Sequence, residues 1–102
     1  MTRAGGFPMR KRSDLNQQAV IDALRKNGVG VVCLSTLGNV PDLLCGLPDG
    51  RNVLLEVKNR AGHKGLTPAE EKFMATWQGE CHVVYTPEQA LKELGLKMNE
   101  HI

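Results

Sequence analysis

Residues 41–58 read PDLLCGLPDGRNVLLEVK, two apolar runs with a turn between them. Pro41 opens the first run where a missing N–H donor does least harm, so residues 41–46 read as a short strand. Pro48-Asp49-Gly50 is a turn with a mechanism, because proline fixes φ and glycine accepts a positive φ. Residues 52–58 form the second arm, and the two arms make a hairpin. Side chains alternate faces along a strand, so Val53, Leu55 and Val57 bury one face while Glu56 and Lys58 share the other. A charged pair on a strand this apolar needs a reason, since burying charge is costly. Asp42 lies fourteen residues before Glu56, at the start of the partner arm. A hairpin of this length brings the two carboxylates close to each other and to the lysine.

Upstream, Val20, Ile21 and Leu24 form an apolar stripe on a helix over residues 14–27. Ser13 or Asp14 can cap it, Asp14 and Gln17 have capping-box spacing, and Gly28 supplies the stop. Residues 29–34 (VGVVCL) read as a buried strand, and residues 35–40 as a polar, glycine-containing loop. Downstream of the hairpin, a Gly- and Lys-containing loop leads to Thr67-Pro68-Ala69-Glu70, a capping box with proline at the first helical position. That helix carries Phe73, Met74 and Trp77 on one side, a core pattern, and ends near Gly79. Residues 81–85 (CHVVY) give a fourth strand. Thr86-Pro87-Glu88-Gln89 repeats the capping signature and opens a last helix to about residue 94. The order αβββαβα predicts an α/β fold with a mixed central sheet flanked by helices, plus a C-terminal helix. Residues 1–12, with Gly5, Gly6 and Pro8 and no periodicity, read as a flexible basic arm; residues 13–102 read as one domain.

Composition narrows the function. A chain of 102 residues, 41% hydrophobic and 24% charged, makes one globular domain rather than a disordered segment. No apolar run is long enough to cross a bilayer, and the basic N-terminus lacks the apolar core of a signal peptide. The expectation is a cytoplasmic protein with no membrane attachment. The three cysteines, Cys33, Cys45 and Cys81, are an odd number at wide spacings, which suggests reduced, buried thiols. Together with His82 they lack CxxC spacing, so core packing is favoured over zinc. A net charge of +2 names no partner, but the basic residues cluster. Arg3, Arg10, Lys11 and Arg12 precede the first acid, Asp14. Lys58, Arg60, His63 and Lys64 lie in a stretch with no acid from 57 to 69. Such clusters meet polyanions, because each neutralised phosphate releases counterions.

Asp42, Glu56 and Lys58 together suit phosphodiester hydrolysis. Two adjacent carboxylates repel unless a cation sits between them. A hard divalent ion prefers oxygen ligands, and Mg²⁺ keeps several waters. It can polarise a phosphate and lower the pKa of a bound water. Lys58 can orient or activate that water and stabilise the extra charge on phosphorus. The backbone carbonyl of Val57 is a further candidate ligand. A merely structural ion pair explains neither the spacing nor the apolar setting.

Pro41-Asp42 followed by Glu56-Val57-Lys58 resembles the PD-(D/E)XK nuclease signature, and the surrounding order resembles that superfamily's restriction-endonuclease-like αβββαβ core. More narrowly, residues 14 to about 91 resemble the stand-alone VRR-NUC domains of phages and bacteria, and also the archaeal Holliday-junction resolvases. The resemblance implies a Mg²⁺- or Mn²⁺-dependent DNA endonuclease, a homodimer acting on branched DNA in a bacterial or phage-infected cell, with no small-molecule cofactor. It makes Asp42 and Glu56 metal ligands and Lys58 the catalytic lysine. Many members add a Glu on the first helix, and the matching position is Gln17. Gln17 shares a helical face with Val20, Ile21 and Leu24, so it points sheetward. The Gln leaves a second outcome open, a catalytically weakened nucleic-acid-binding module on the same fold. A nuclease on linear or flap DNA is a third. In the resolvases a loop serine contributes to the site, which makes Ser35 a possible helper. Arg10, Lys11, Arg12, Arg60, His63 and Lys64 are the candidates for DNA phosphates. Some relatives carry a Gln early in the second helix. The candidates for that place are Glu70 and Glu71, and Glu70 is accounted for as a cap and given no catalytic weight.

Overall fold

The hairpin closes where the turn chemistry requires. Gly50 adopts φ 96°, its N–H donates to the Leu47 carbonyl at 2.9 Å, and the Leu47 N–H donates to the Arg51 carbonyl at 2.9 Å. The computed structural model describes residues 12–59 and 65–96, with the side chains of residues 12–14 excepted. Its elements run α1 (Arg12–Lys26), β1 (Gly30–Cys33), β2 (Leu43–Gly46), β3 (Asn52–Val57), α2 (Pro68–Thr76), β4 (Glu80–Val84) and α3 (Pro87–Glu93). The sheet order is β1-β2-β3-β4. The first two pairings are antiparallel, and β3 pairs parallel with β4. A parallel pair needs a crossover, and α2 lies within it. The mixed sheet with flanking helices is therefore as expected, with element ends shifted by one to three residues.

The core lies on one face of the sheet. Leu43 and Cys45 of β2, Val53 and Leu55 of β3 and Val84 of β4 are buried there against Val20, Ile21 and Leu24 of α1 and Ala90 and Leu91 of α3. The helical stripe of α1 meets the period-two stripe of the strands. Thr86 and Thr67 act as the expected N-caps, each accepting the main-chain N–H three residues on. Arg51 ties the hairpin turn to the far side of the sheet, donating to Asp49, Glu80 and the Leu94 carbonyl.

Four expectations are corrected. The first helix starts at Arg12, so Ser13 and Asp14 sit inside its first turn rather than capping it. Strand β1 is not buried. It is a sheet edge, and Val32 is 55% exposed on the face away from α1. Of the three thiols only Cys45 is buried, and Cys33 on the edge strand is exposed. Finally, α2 ends at Thr76, because Trp77 turns to an extended ψ of 126°, and none of its residues is fully buried. Phe73 and Met74 pack only partly, and Trp77 is 48% exposed. A nine-residue helix covers only part of the outer sheet face. It leaves a groove between Leu37, Leu44, Leu54, Phe73 and Trp77.

Candidate active site

Strand register places the carboxylates. Leu43 pairs with Leu55 and Leu44 with Leu54, so continuing the ladder by one step sets Asp42 opposite Glu56. Both side chains leave the sheet on the α2 side, away from the core, as the alternation requires. Asp42 is fixed by its own backbone and side chain. Its carbonyl accepts the Leu34 N–H at 2.7 Å, and its Oδ2 accepts the Val57 N–H at 2.8 Å. Glu56 is the one buried charged residue among those described, 6% exposed, and its carboxyl is a hydrogen-bond neighbour of Asp42.

Lys58 closes the cluster. Its Nζ lies 3.7 Å from Glu56 Oε2 and 2.7 Å from Glu70 Oε1. Its main chain is held on both sides. The N–H donates to the Val84 carbonyl at 2.9 Å, and Asn16 Nδ2 donates to the Lys58 carbonyl at 2.9 Å and to the Tyr85 carbonyl at 3.0 Å. Asn16 thus clamps the ends of β3 and β4 to α1, beside the site. A small pocket opens over the cluster, lined by Val40, Pro41, Glu56, Glu70, Phe73 and Met74 among others.

Three carboxylates around one ammonium make an electrostatic imbalance. Burial, then the charges of Asp42 and Glu70, push the Glu56 carboxyl up to about 8, against the pull of Lys58. Burial also raises Asp42, partly offset by the Val57 N–H and Glu56. Burial alone would lower Lys58, but Glu70, Glu56 and Asp42 outweigh it and hold the ammonium above its ordinary value. Burial acts to raise Glu70, yet Lys58 and the Thr67 N–H hold it below the usual carboxylate range.

A divalent cation suits this donor set. Asp42 and Glu56 offer hard oxygens, and their repulsion is what a cation between them relieves. Among the described residues no group of three or more His, Cys, Asp or Glu side chains forms a ready-made cage. A cation here would take its other positions from main chain, such as the Val57 carbonyl, and from solvent, as Mg²⁺ does.

The other sequence candidates divide. Gln17 points sheetward as expected, but its Oε1 accepts from Cys33 Sγ and Ser35 Oγ, each at 3.4 Å. Gln17, Ser35 and Cys33 form a hydrogen-bonded group of their own. Arg10, Lys11, Arg60, His63 and Lys64, and the side chain of Arg12, lie outside the described residues. Two residues of the cluster escaped the sequence reading. Glu70 was assigned to the cap alone, and the cap is real, but the same carboxylate reaches Lys58. Asn16 gave no signal, since a polar residue beside an apolar stripe is ordinary on a helix.

A mixed sheet of this order, flanked by helices, is the restriction-endonuclease-like fold expected from the sequence. Among solved structures, a VRR-NUC domain matches this chain with a TM-score of 0.69 at 23% sequence identity, covering 84% of this chain and 97% of that one. No family model and no curated protein matches the sequence.

Proposed function

We propose that the protein is a metal-dependent DNA endonuclease that hydrolyses phosphodiester bonds, acts on branched DNA and works as a homodimer. The observation that carries this reading is the convergence of Asp42, Glu56 and Lys58 at one end of the β2–β3 hairpin. Asp42 and Glu56, with the Val57 carbonyl, would hold Mg²⁺ or Mn²⁺. When bound, such an ion polarises the scissile phosphate and supplies a more acidic water.

The chain's own groups do the rest. Asp42 is oriented by the Val57 N–H, which occupies one carboxylate oxygen and leaves the other for the site. The Lys58 ammonium stands at the rim, where it orients the attacking water or stabilises the charge that builds on phosphorus. Phe73, Met74 and Pro41 line the pocket and limit solvent around the charged groups. One chain offers little surface to a duplex, and two sites related by a two-fold axis suit paired nicks across a junction. A binding module without turnover is the second reading, favoured by Gln17 facing Ser35 and Cys33 instead of the carboxylates.

The test is cleavage of four-way junction, flap and linear DNA, with and without Mg²⁺, by wild type, Asp42→Asn and Lys58→Ala. Metal-dependent cutting, strongest on the junction, is expected to fall by about a hundredfold or more in each variant while DNA binding persists. Binding without cutting by wild type would favour the second reading. Equal cutting of all three substrates would remove the preference for branches.

A further inference from the structure

One oxygen of Glu70 serves two partners. Its Oε1 accepts the Thr67 main-chain N–H at 2.9 Å and the Lys58 ammonium at 2.7 Å. Thr67 Oγ1 in turn accepts the Glu70 N–H at 3.2 Å. A capping box is satisfied by glutamine as well as by glutamate, so the cap does not account for a full negative charge at this position. A third carboxylate beside two others is unfavourable by itself, and the ammonium is what offsets it.

Geometry says what that charge does. The Lys58 main chain is pinned to Val84 on one side and Asn16 on the other. Only its four-carbon stem can still turn, and a lysine head is a compact charge on a flexible stem. Where the ammonium sits is therefore decided by its own partners. Glu70 at 2.7 Å is the near one and Glu56 at 3.7 Å the far one. Both members of the Lys58–Glu70 pair are largely shielded, with side-chain exposures of 19% and 23%.

Building on the hydrolytic reading, we propose that Glu70 is a positioning residue, holding the Lys58 ammonium at the rim of the Asp42–Glu56 pair from the N-terminus of α2. The helix cap and the site then share one side chain, and α2 sets the place of the lysine.

Two variants separate the cap from the charge. Glu70→Gln keeps an acceptor for the cap and removes the charge; Thr67→Ala removes the capping hydroxyl and keeps the carboxylate. With Mg²⁺ and the best-cut DNA, Glu70→Gln is expected to lower kcat about tenfold or more, leave KM for DNA no higher, and hold Tm near wild type. Thr67→Ala is expected to lower Tm and keep kcat at a temperature where it is folded. A readout independent of turnover is a urea-unfolding double-mutant cycle of Glu70→Gln with Lys58→Met in metal-free protein. The two are expected to be non-additive by about fivefold in the unfolding constant. Wild-type kcat in Glu70→Gln, additivity in the cycle, or equal loss of kcat in Thr67→Ala would each overturn the proposal. If wild type cuts and Glu70→Gln cuts as well, only the role of Glu70 falls. If wild type cuts nothing, the hydrolytic reading falls first and this role with it.

Discussion

Glu56 concentrates the tension of the site in one side chain. It is buried on an apolar strand, faces Asp42 and Glu70, and its carboxyl is pushed up to about 8 by burial and those two charges. The unfolded chain gives the same group an ordinary carboxyl pKa near 4.5. The folded state therefore binds the proton more tightly, so this contribution to stability is full below 4.5 and is lost as pH rises through about 8. Metal-free protein should show a Tm that falls as pH rises from about 4.5 towards about 8 and levels off above it. Glu56→Gln should flatten that slope, and a slope unchanged in the variant would place its source elsewhere. The pairing of Glu56 with Asp42 was readable in the sequence, because hairpin length fixes register. The approach of Glu70 was not, because it depends on where a helix after an intervening loop lands.

At the scale of elements, the ends of β3 and β4 matter most. The parallel pair stops where Asn16 of α1 donates to the carbonyls of Lys58 and Tyr85. Those carbonyls are at the end of the ladder, and half-buried polar groups without partners are costly. Asn16→Ala is expected to lower stability by about 1–3 kcal/mol, measured by urea unfolding, and to lower cleavage by loosening Lys58. No more than a few tenths of a kcal/mol lost would mean that solvent replaces the side chain without penalty. Helix boundaries were legible where capping chemistry is explicit, as at Thr67 and Thr86. Burial of α2 was misread from Phe73, Met74 and Trp77, since an apolar stripe says that a face could be covered and not that anything covers it. The same reason explains β1, whose apolar run sits at an edge with Val32 exposed.

For the molecule as a whole, the sheet separates two tasks. One face carries the core of α1 and α3, and the end of the other carries the charged cluster under α2. A divalent ion held between Asp42 and Glu56, as proposed, would stabilise the folded chain by mass action, since the unfolded chain has no such pair. At pH 8, Mg²⁺ at about a hundred times its dissociation constant should stabilise the protein by about 2.7 kcal/mol. That is a Tm rise of several degrees for a domain of this size. Asp42→Asn should abolish the rise, and an undiminished rise in that variant would move the cation to another site.

The sequence by itself determined the hairpin, the order of elements and the facing of Asp42 and Glu56. Those follow from local rules: turn chemistry, period-two alternation and capping act over a few neighbouring residues. Tertiary structure alone decided that Glu70 meets Lys58, that Asn16 clamps two strand ends, that Gln17 turns to Cys33 and Ser35, and that one sheet face stays partly open. Each of these depends on how one element docks on another across long stretches of chain, and docking is set by packing of whole surfaces rather than by the residues on either side of a position.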